Sequence, residues 1–232
     1  MTDYRKKRKD EIEVIYKTFN QNIFRIEQCL KNDLKEASIV FTVSVFETFL
    51  KDVFILCKSK WFGYDIIMGL SVTEMIGEKR RRIYNYLKKI KALDEFIKIR
   101  YIYSYGEFDS TKSNLFGPSD ITPIYEVLFK EGKDKDNIKR EKINFQNLTD
   151  DNGVRVAYKT FFDIDLLESL AEDSSTSHRR WEKLIELFKA RHAIVHKGKE
   201  TDFSKEDICT VLDSIKYLKK SLDERLIQRR SL

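Results

Sequence analysis

The chain is poor in helix breakers, with two prolines and eight glycines in 232 residues. A many-stranded sandwich or barrel needs turn residues at close intervals, so this scarcity argues against one and favours long helices. Cysteine is scarce too. Cys29, Cys57 and Cys209 are odd in number, widely spaced and set among apolar helical neighbours. They read as reduced thiols in the core or near the surface, not as a disulfide framework or a metal site. No uninterrupted apolar run approaches the roughly 18 residues of a membrane span. The N-terminal stretch Met1–Lys9 is basic but has no apolar signal core behind it. A cytoplasmic protein with no membrane contact is the expectation.

Hydrophobic residues make up 41% of the chain. That is enough for one large helical domain, or for a core domain carrying an insertion. The formal net charge is +6, and the excess is concentrated. Residues 79–100 hold nine Lys/Arg against Asp94 and Glu95, a local excess of seven. Residues 5–9 are all basic, and Lys219, Lys220, Arg225, Arg229 and Arg230 crowd the C-terminal tail. Clusters of this kind attract polyanions, nucleic acid above all, although on charge alone a solvated helix face accounts for them slightly better.

Apolar side chains at three- and four-residue spacings (Ile12, Ile15, Tyr16, Phe19, Ile23, Ile26 and Leu30) predict a first helix over 4–32. Asn32-Asp33 offers a turn and an N-cap for a second helix over 34–59. That helix is apolar nearly all round, which predicts a central element enclosed by others. Its exception is Glu47, in Val45-Phe46-Glu47-Thr48-Phe49-Leu50. Residues 72–103 read as a basic helix or pair of helices. A turn-rich stretch (104–120), a short apolar segment (124–129) and a charged loop (131–141) follow. Strong pattern returns near Phe161. The capping run Ser174–Ser177 precedes an amphipathic helix marked by Trp181, Leu184, Ile185, Leu187 and Phe188, with Gly198 placed for a left-handed C-cap. A last helix starts near Ser204, with Asp207 as a short variant of the capping-box acid. It continues through Ile208, Val211, Leu212, Ile215, Leu218, Leu222 and Leu226. The outline is an all-α chain, 1–232, in which two helix pairs flank a helical and loop insertion over about 63–160.

The residues with chemical potential lie where the third long helix ends. Arg191 and His196 are separated by His192 and three small or aliphatic residues, and Gly198 follows almost at once. On an ideal helix Arg191 and His196 project about 140° apart, whereas His192 and His196 share one face. For Arg191 and His196 to share a pocket, the arginine must curl or the last turn must open before Gly198.

The run Glu-Leu-Phe-Lys-Ala-Arg191-His192-Ala-Ile-Val-His196-Lys-Gly198 resembles the signature of HEPN domains, and the RiboL-PSP type is the nearest branch. The second helix with its lone Glu47 fits that branch as well. The resemblance covers about residues 1–60 and 165–228 and leaves out 63–160, where choice of substrate or partner would then reside. It implies an HEPN-like helical bundle and metal-independent RNA cleavage by a homodimer, leaving 2′,3′-cyclic phosphate and 5′-hydroxyl ends. It also implies a toxin or antiviral defence effector held in check by an antitoxin, a regulatory protein or a trigger. Its alternative is a non-catalytic HEPN dimer that binds RNA or a protein partner.

The chemistry matches the residue types. RNA cleavage without a metal needs a base for the 2′-hydroxyl proton, an acid for the leaving 5′-oxygen and positive charge on the phosphorane. Histidine suits the proton steps, and arginine grips phosphate oxygens through paired hydrogen bonds. One chain supplies a single Arg/His pair for a reaction with two proton-transfer ends, so two motif helices across a two-fold axis would complete the set. The catalytic candidates are Arg191 and His196, with His192 and Glu47 in support. Lys197 beside the motif, and Arg179 and Arg180 where its helix starts, are the bases expected to meet RNA phosphates.

Several of these residues carry a plainer reading. Glu47 is either a partly exposed acid or a carboxylate that pairs with Arg191 or orients a histidine. Arg191 and His196 themselves form only a structural contact if the chain is simply a helical interaction module. His192 and His196 have the spacing of a shared zinc site, yet their helix has no zincin glutamate and no third Cys or Asp ligand, so neither metal nor cofactor is expected. Tyr84, Tyr86, Tyr101, Tyr103 and Tyr105 lie in or beside the basic stretch, and at helix spacing they suit a core better than a base-stacking platform.

Overall fold

The structure, a computed structural model, describes residues 2–61, 78–89, 132–134, 137–139, 143–150 and 153–227. The apolar spacing of the N-terminal stretch forms a single helix, α1 (Thr2–Lys31), which buries Phe19, Ile23, Ile26 and Leu30. A tight turn follows. Asp33 takes a left-handed conformation (φ 54°), and the Leu34 N–H returns to the Cys29 carbonyl at 2.9 Å. The Asp33 carboxylate does not cap the next helix; it meets Lys205 at 3.4 Å.

Helix α2 (Lys35–Trp61) buries Ile39, Val43, Phe46, Phe49, Leu50, Val53 and Phe54. It tolerates Ser38 and Thr42 in its buried face because each hydroxyl donates to the carbonyl four residues earlier, at 2.8 and 2.7 Å. The expectation that α2 is enclosed on every side does not hold. Phe41 and Thr48 are exposed, and Ser44, Glu47, Lys51 and Asp52 are half-buried at helical spacing, so the helix keeps one open stripe.

Among the described residues the other helices are α3 (Glu78–Lys89), α4 (Val154–Phe162), α5 (Ser174–Lys197) and α6 (Lys205–Leu222), the last running into a π-helical turn at Asp223–Ile227. In the stretch read as a charged loop, β1 (Gly132–Asp134) and β2 (Asn137–Lys139) pair antiparallel, with Gly132 opposite Lys139. The protein is otherwise all-α. Among the described residues, no helix is long and apolar enough to cross a membrane.

The chain divides into two compact units. One comprises Met1–Leu56 with Asp165–Leu232, the other Cys57–Ile164. In the first, Phe19 of α1 lies 4.6 Å from Phe49 of α2, and Phe46 of α2 meets Phe188 of α5 edge-on at 6.0 Å. Lys216 of α6 pairs with Glu27 of α1 at 3.0 Å, and Lys183 of α5 with Asp207 of α6 at 3.3 Å. All six of Ile208, Val211, Leu212, Ile215, Leu218 and Leu222 are buried, so α6 presents one continuous apolar stripe to the core. Its start is a full capping box, with the Asp207 N–H donating to Ser204 Oγ at 3.0 Å and the Ser204 N–H to Asp207 Oδ2 at 3.2 Å.

In the second unit, Tyr86 of α3 packs edge-on to Phe161 of α4 at 5.6 Å, and Arg82 reaches Asp163 at 3.1 Å. Tyr86 is thus a core tyrosine. Gly153 precedes α4 because a side chain there would meet the Asn147 carbonyl oxygen, 2.7 Å from an added Cβ. Tyr101, Tyr103, Tyr105 and residues 90–100 of the basic stretch lie outside the described residues, as do Arg229, Arg230 and the side chains of Tyr84 and residues 5–9.

The end of α5 depends on Gly198. Its φ is +57°, its N–H donates to the Ile194 carbonyl at 3.2 Å, and the Lys199 N–H closes the turn on Ala193 at 3.3 Å. Nothing lies within 4 Å of a Cβ added there, so Gly198→Ala meets backbone strain alone. It is expected to lower stability by about 1 kcal/mol in urea denaturation. An unchanged midpoint would mean that the turn is not held in this form.

Candidate functional site

Helix α5 is capped by Asp173, whose carboxylate accepts from the Thr176 N–H at 2.7 Å, and not by a residue of the Ser174–Ser177 run. That bond is the largest cause holding the Asp173 carboxyl down to about 2. The helix buries Trp181, Leu184 and Leu187, a stripe that fixes its rotation and therefore the direction of every residue in its last two turns.

Two contacts set the register between α5 and α2. Phe188 meets Phe46, and Lys35 Nζ donates to the Thr201 carbonyl at 2.9 Å, so the helices run antiparallel. Side chains on a helix lean towards its N-terminus, so Arg191 leans back to the level of Phe188, where α2 carries Glu47. The Arg191 charge acts on Glu47. Burial raises the Glu47 carboxyl from its ordinary 4.5 to about 7, and the Arg191 guanidinium opposes that rise. Glu47 Oε1 and Arg191 Nε are nevertheless both buried without a hydrogen-bond partner. The two groups interact through space and leave hydrogen-bonding capacity unused, a costly arrangement in a low-dielectric setting.

His192 and His196 lie on a different face. Their rings are 4.7 Å apart between centroids, with planes inclined at 46°, and both side chains are exposed. Among the described residues, no hydrogen bond joins Arg191 to His196. Helix α5 runs unbroken through Lys197, so the angular separation expected from their five-residue spacing is retained.

The bases proposed for RNA separate as well. Lys197, the last residue of α5, is exposed beside the histidines. Arg179 is exposed near the opposite end, about 27 Å away at the helical rise of 1.5 Å per residue. Arg180 is built into the fold: its Nη1 donates to the Leu170 carbonyl at 2.6 Å, and its guanidinium lies 5.7 Å from the Tyr217 ring centre. Of the pair Arg179 and Arg180, the first is the one presented to solvent.

One feature of the site escapes the sequence pattern. Phe41 on α2 and Val195 on α5 are each about half exposed, at 50% and 49%. The antiparallel register sets them at about the same level, towards the end of α5 that carries His196. An all-apolar helix gives no contrast by which one uncovered phenylalanine stands out, so its exposure emerges only once α5 is in place.

The Glu47 arrangement has a stability consequence. Its folded carboxyl sits near 7 against an ordinary 4.5, so the folded chain holds a proton that the unfolded chain releases between those values. This contribution to stability is fully present below about pH 4.5 and is lost as pH rises through 7. Glu47→Gln mimics the neutral acid. It is expected to raise Tm above pH 7 by a few degrees at most and to match wild type near pH 4.5. Equal slopes of Tm against pH in both proteins would contradict the burial of a costly charge.

Among comparisons with known proteins, the family model described as RiboL-PSP-HEPN matches residues 3–228. The match runs through 63–160, the stretch that the motif resemblance leaves out. No curated protein and no solved structure matches the chain.

Proposed function

The chain belongs to the RiboL-PSP-HEPN family, and on that premise we propose that it is a metal-independent endoribonuclease acting as a homodimer. The observation that carries this reading is the end of α5. His192 and His196 stand exposed on one face, and Arg191 is half-buried one residue before them. In the proposed reaction, one imidazole takes the 2′-hydroxyl proton and a second delivers a proton to the leaving 5′-oxygen. Arginine stabilises the phosphorane between them. The products are a 2′,3′-cyclic phosphate and a 5′-hydroxyl.

The divergence of Arg191 and His196 within one protomer favours a composite site. Two α5 helices meeting near their C-terminal ends would place the arginine of one copy against the histidine of the other. Exposed Phe41 and Val195 beside His196 provide apolar surface for that contact. Phe41→Lys is therefore expected to shift the protein from dimer to monomer in sedimentation equilibrium and to abolish RNA cleavage with it. A monomeric wild type that cleaves RNA would remove the composite site. Lys197 and Arg179 serve the phosphates on either side of the cut, and the biological role is that of a toxin or antiviral defence effector kept inactive by a partner protein or trigger.

A second reading has its own observation. The Arg191 charge acts on Glu47, within the fold. A dimer that binds RNA without cutting it would leave RNA intact and show log–log salt dependence with a slope of about −0.7 per phosphate neutralised.

A further inference from the structure

We propose that His192 and His196 together form a chelating site for a divalent transition cation, Zn2+ or Cu2+, and that an ion held there withdraws His196 from proton transfer. The first part stands on the geometry of α5 alone. The second rests on the ribonuclease reading above.

The three histidines differ in what they touch. His178 Nδ1 is 2.8 Å from the Ser174 carbonyl oxygen, so one of its ring nitrogens is already engaged. Among the described residues, neither His192 nor His196 has such a partner, and both rings are open to solvent. They are one helical turn apart, with centroids separated by 4.7 Å and planes inclined at 46°. Each neutral imidazole offers one nitrogen lone pair, and a helix fixed by its buried stripe holds the two Cβ atoms one turn apart on one face before any ion arrives, so that only the side-chain rotamers are left to order. Little ordering remains to oppose binding. The C-terminal end of the helix also favours a cation. Lys197 opposes one, but its charge is exposed and screened by solvent.

Imidazole is a ligand for zinc, copper and nickel, with copper the tightest of the divalent series, whereas magnesium prefers oxygen. The pair lacks a third protein ligand, since no group of three or more His, Cys, Asp or Glu side chains gathers among the described residues. The remaining positions are left to water or to a second copy. Two α5 ends meeting across a two-fold axis would supply four imidazoles, the tetrahedral number that zinc takes. An ion held there is neither a cofactor nor a participant in cleavage, although the residues that hold it are those proposed for the proton steps. It is a place where a cation competes with a proton for His196.

The test titrates purified full-length protein, without RNA, against Zn2+ held by a chromophoric chelator. Wild type and His178→Ala are expected to withdraw zinc from the dye to the same saturable extent. Copper should bind more tightly, and Mg2+ should not compete. His192→Ala and His196→Ala are each expected to lose more than the roughly 10–100-fold in affinity that even an outer-shell partner is worth. Both positions are exposed, so these variants fold. No binding by wild type, or undiminished binding by His192→Ala, overturns the site.

The second part is read separately. Cleavage of RNA by wild type, established in EDTA and then followed in buffer free of chelator, is expected to stop as zinc saturates the protein and to resume when EDTA is added back. Cleavage that persists at saturation overturns the inhibitory role and leaves the binding result intact. If wild type fails to cleave in EDTA, the ribonuclease reading falls and the inhibitory role falls with it, while the zinc titration still decides the site.

Discussion

Alanine at His196 is expected to lower the rate of RNA cleavage by about 10²–10⁴-fold, the range that one positioned acid or base contributes. The side chain is exposed at the last turn of α5, where alanine is a better helix former than histidine. Loss of activity would therefore report chemistry and not unfolding, and circular dichroism should show the helices intact. Arg191→Ala is expected to cost about 10²–10³-fold, the usual effect of removing one donor from a developing oxyanion. It is the less clean variant. Arg191 partly offsets the burial of Glu47, and without it the Glu47 carboxyl would move further above 7. Arg191→Lys keeps the charge but loses the planar fork, so it should retain Glu47 near its present value while activity stays low. Residues acting on one transition state are not additive, so the double variant is expected to be barely slower than the worse single one. Independent, multiplying losses would place the two residues in separate events.

The second large effect concerns the helix contact that aims α5. Phe46 is fully buried and meets Phe188 edge-on, so it ties α2 to the helix that carries the motif. Phe46→Ala removes a ring from a closed space and is expected to destabilise the protein by about 3–5 kcal/mol, read as a lower urea midpoint. Phe41→Ala, five residues away on the open stripe of the same helix, should change the stability of the single chain by no more than about 0.5 kcal/mol. Equal losses at both positions, independent of protein concentration, would mean that Phe41 is covered within its own chain. A small loss at Phe46 would mean that α2 does not set the position of α5.

The two helix pairs were largely legible in the sequence because their apolar spacing is clean. Every predicted apolar position of α6 from Ile208 to Leu222 is buried, and the glycine expected to end α5 does so in the left-handed conformation. Caps were harder to place. Several residues near Asp173 can accept a backbone N–H, and only the geometry of the first turn selects Asp173 over the serines that follow. Asp33 was read as a cap by type, but its positive φ puts it in the turn instead. The open stripe on α2 was hidden because Phe41 is as apolar as the residues it sits among. The hairpin at 132–139 gave no alternation of apolar and polar residues to announce it.

What the sequence makes legible of the candidate site is residue type and spacing, not arrangement. Five helical steps already set Arg191 and His196 on different faces, and the fold keeps them so. Glu47 satisfies parts of both readings offered for it: it is half-buried and feels the Arg191 charge, yet its buried oxygen takes no hydrogen bond from Arg191. Sequence gives the charges and the spacing, but only packing decides how much water each group retains.

The measurement closest to the central claim is the chemistry of the RNA ends. Purified wild type and His196→Ala are incubated with total RNA in EDTA, and the fragments are analysed for terminal groups. The account predicts fragments from wild type alone, carrying 2′,3′-cyclic phosphates and 5′-hydroxyls. Equal cleavage by both proteins, or wild-type fragments with 5′-phosphates, would contradict it.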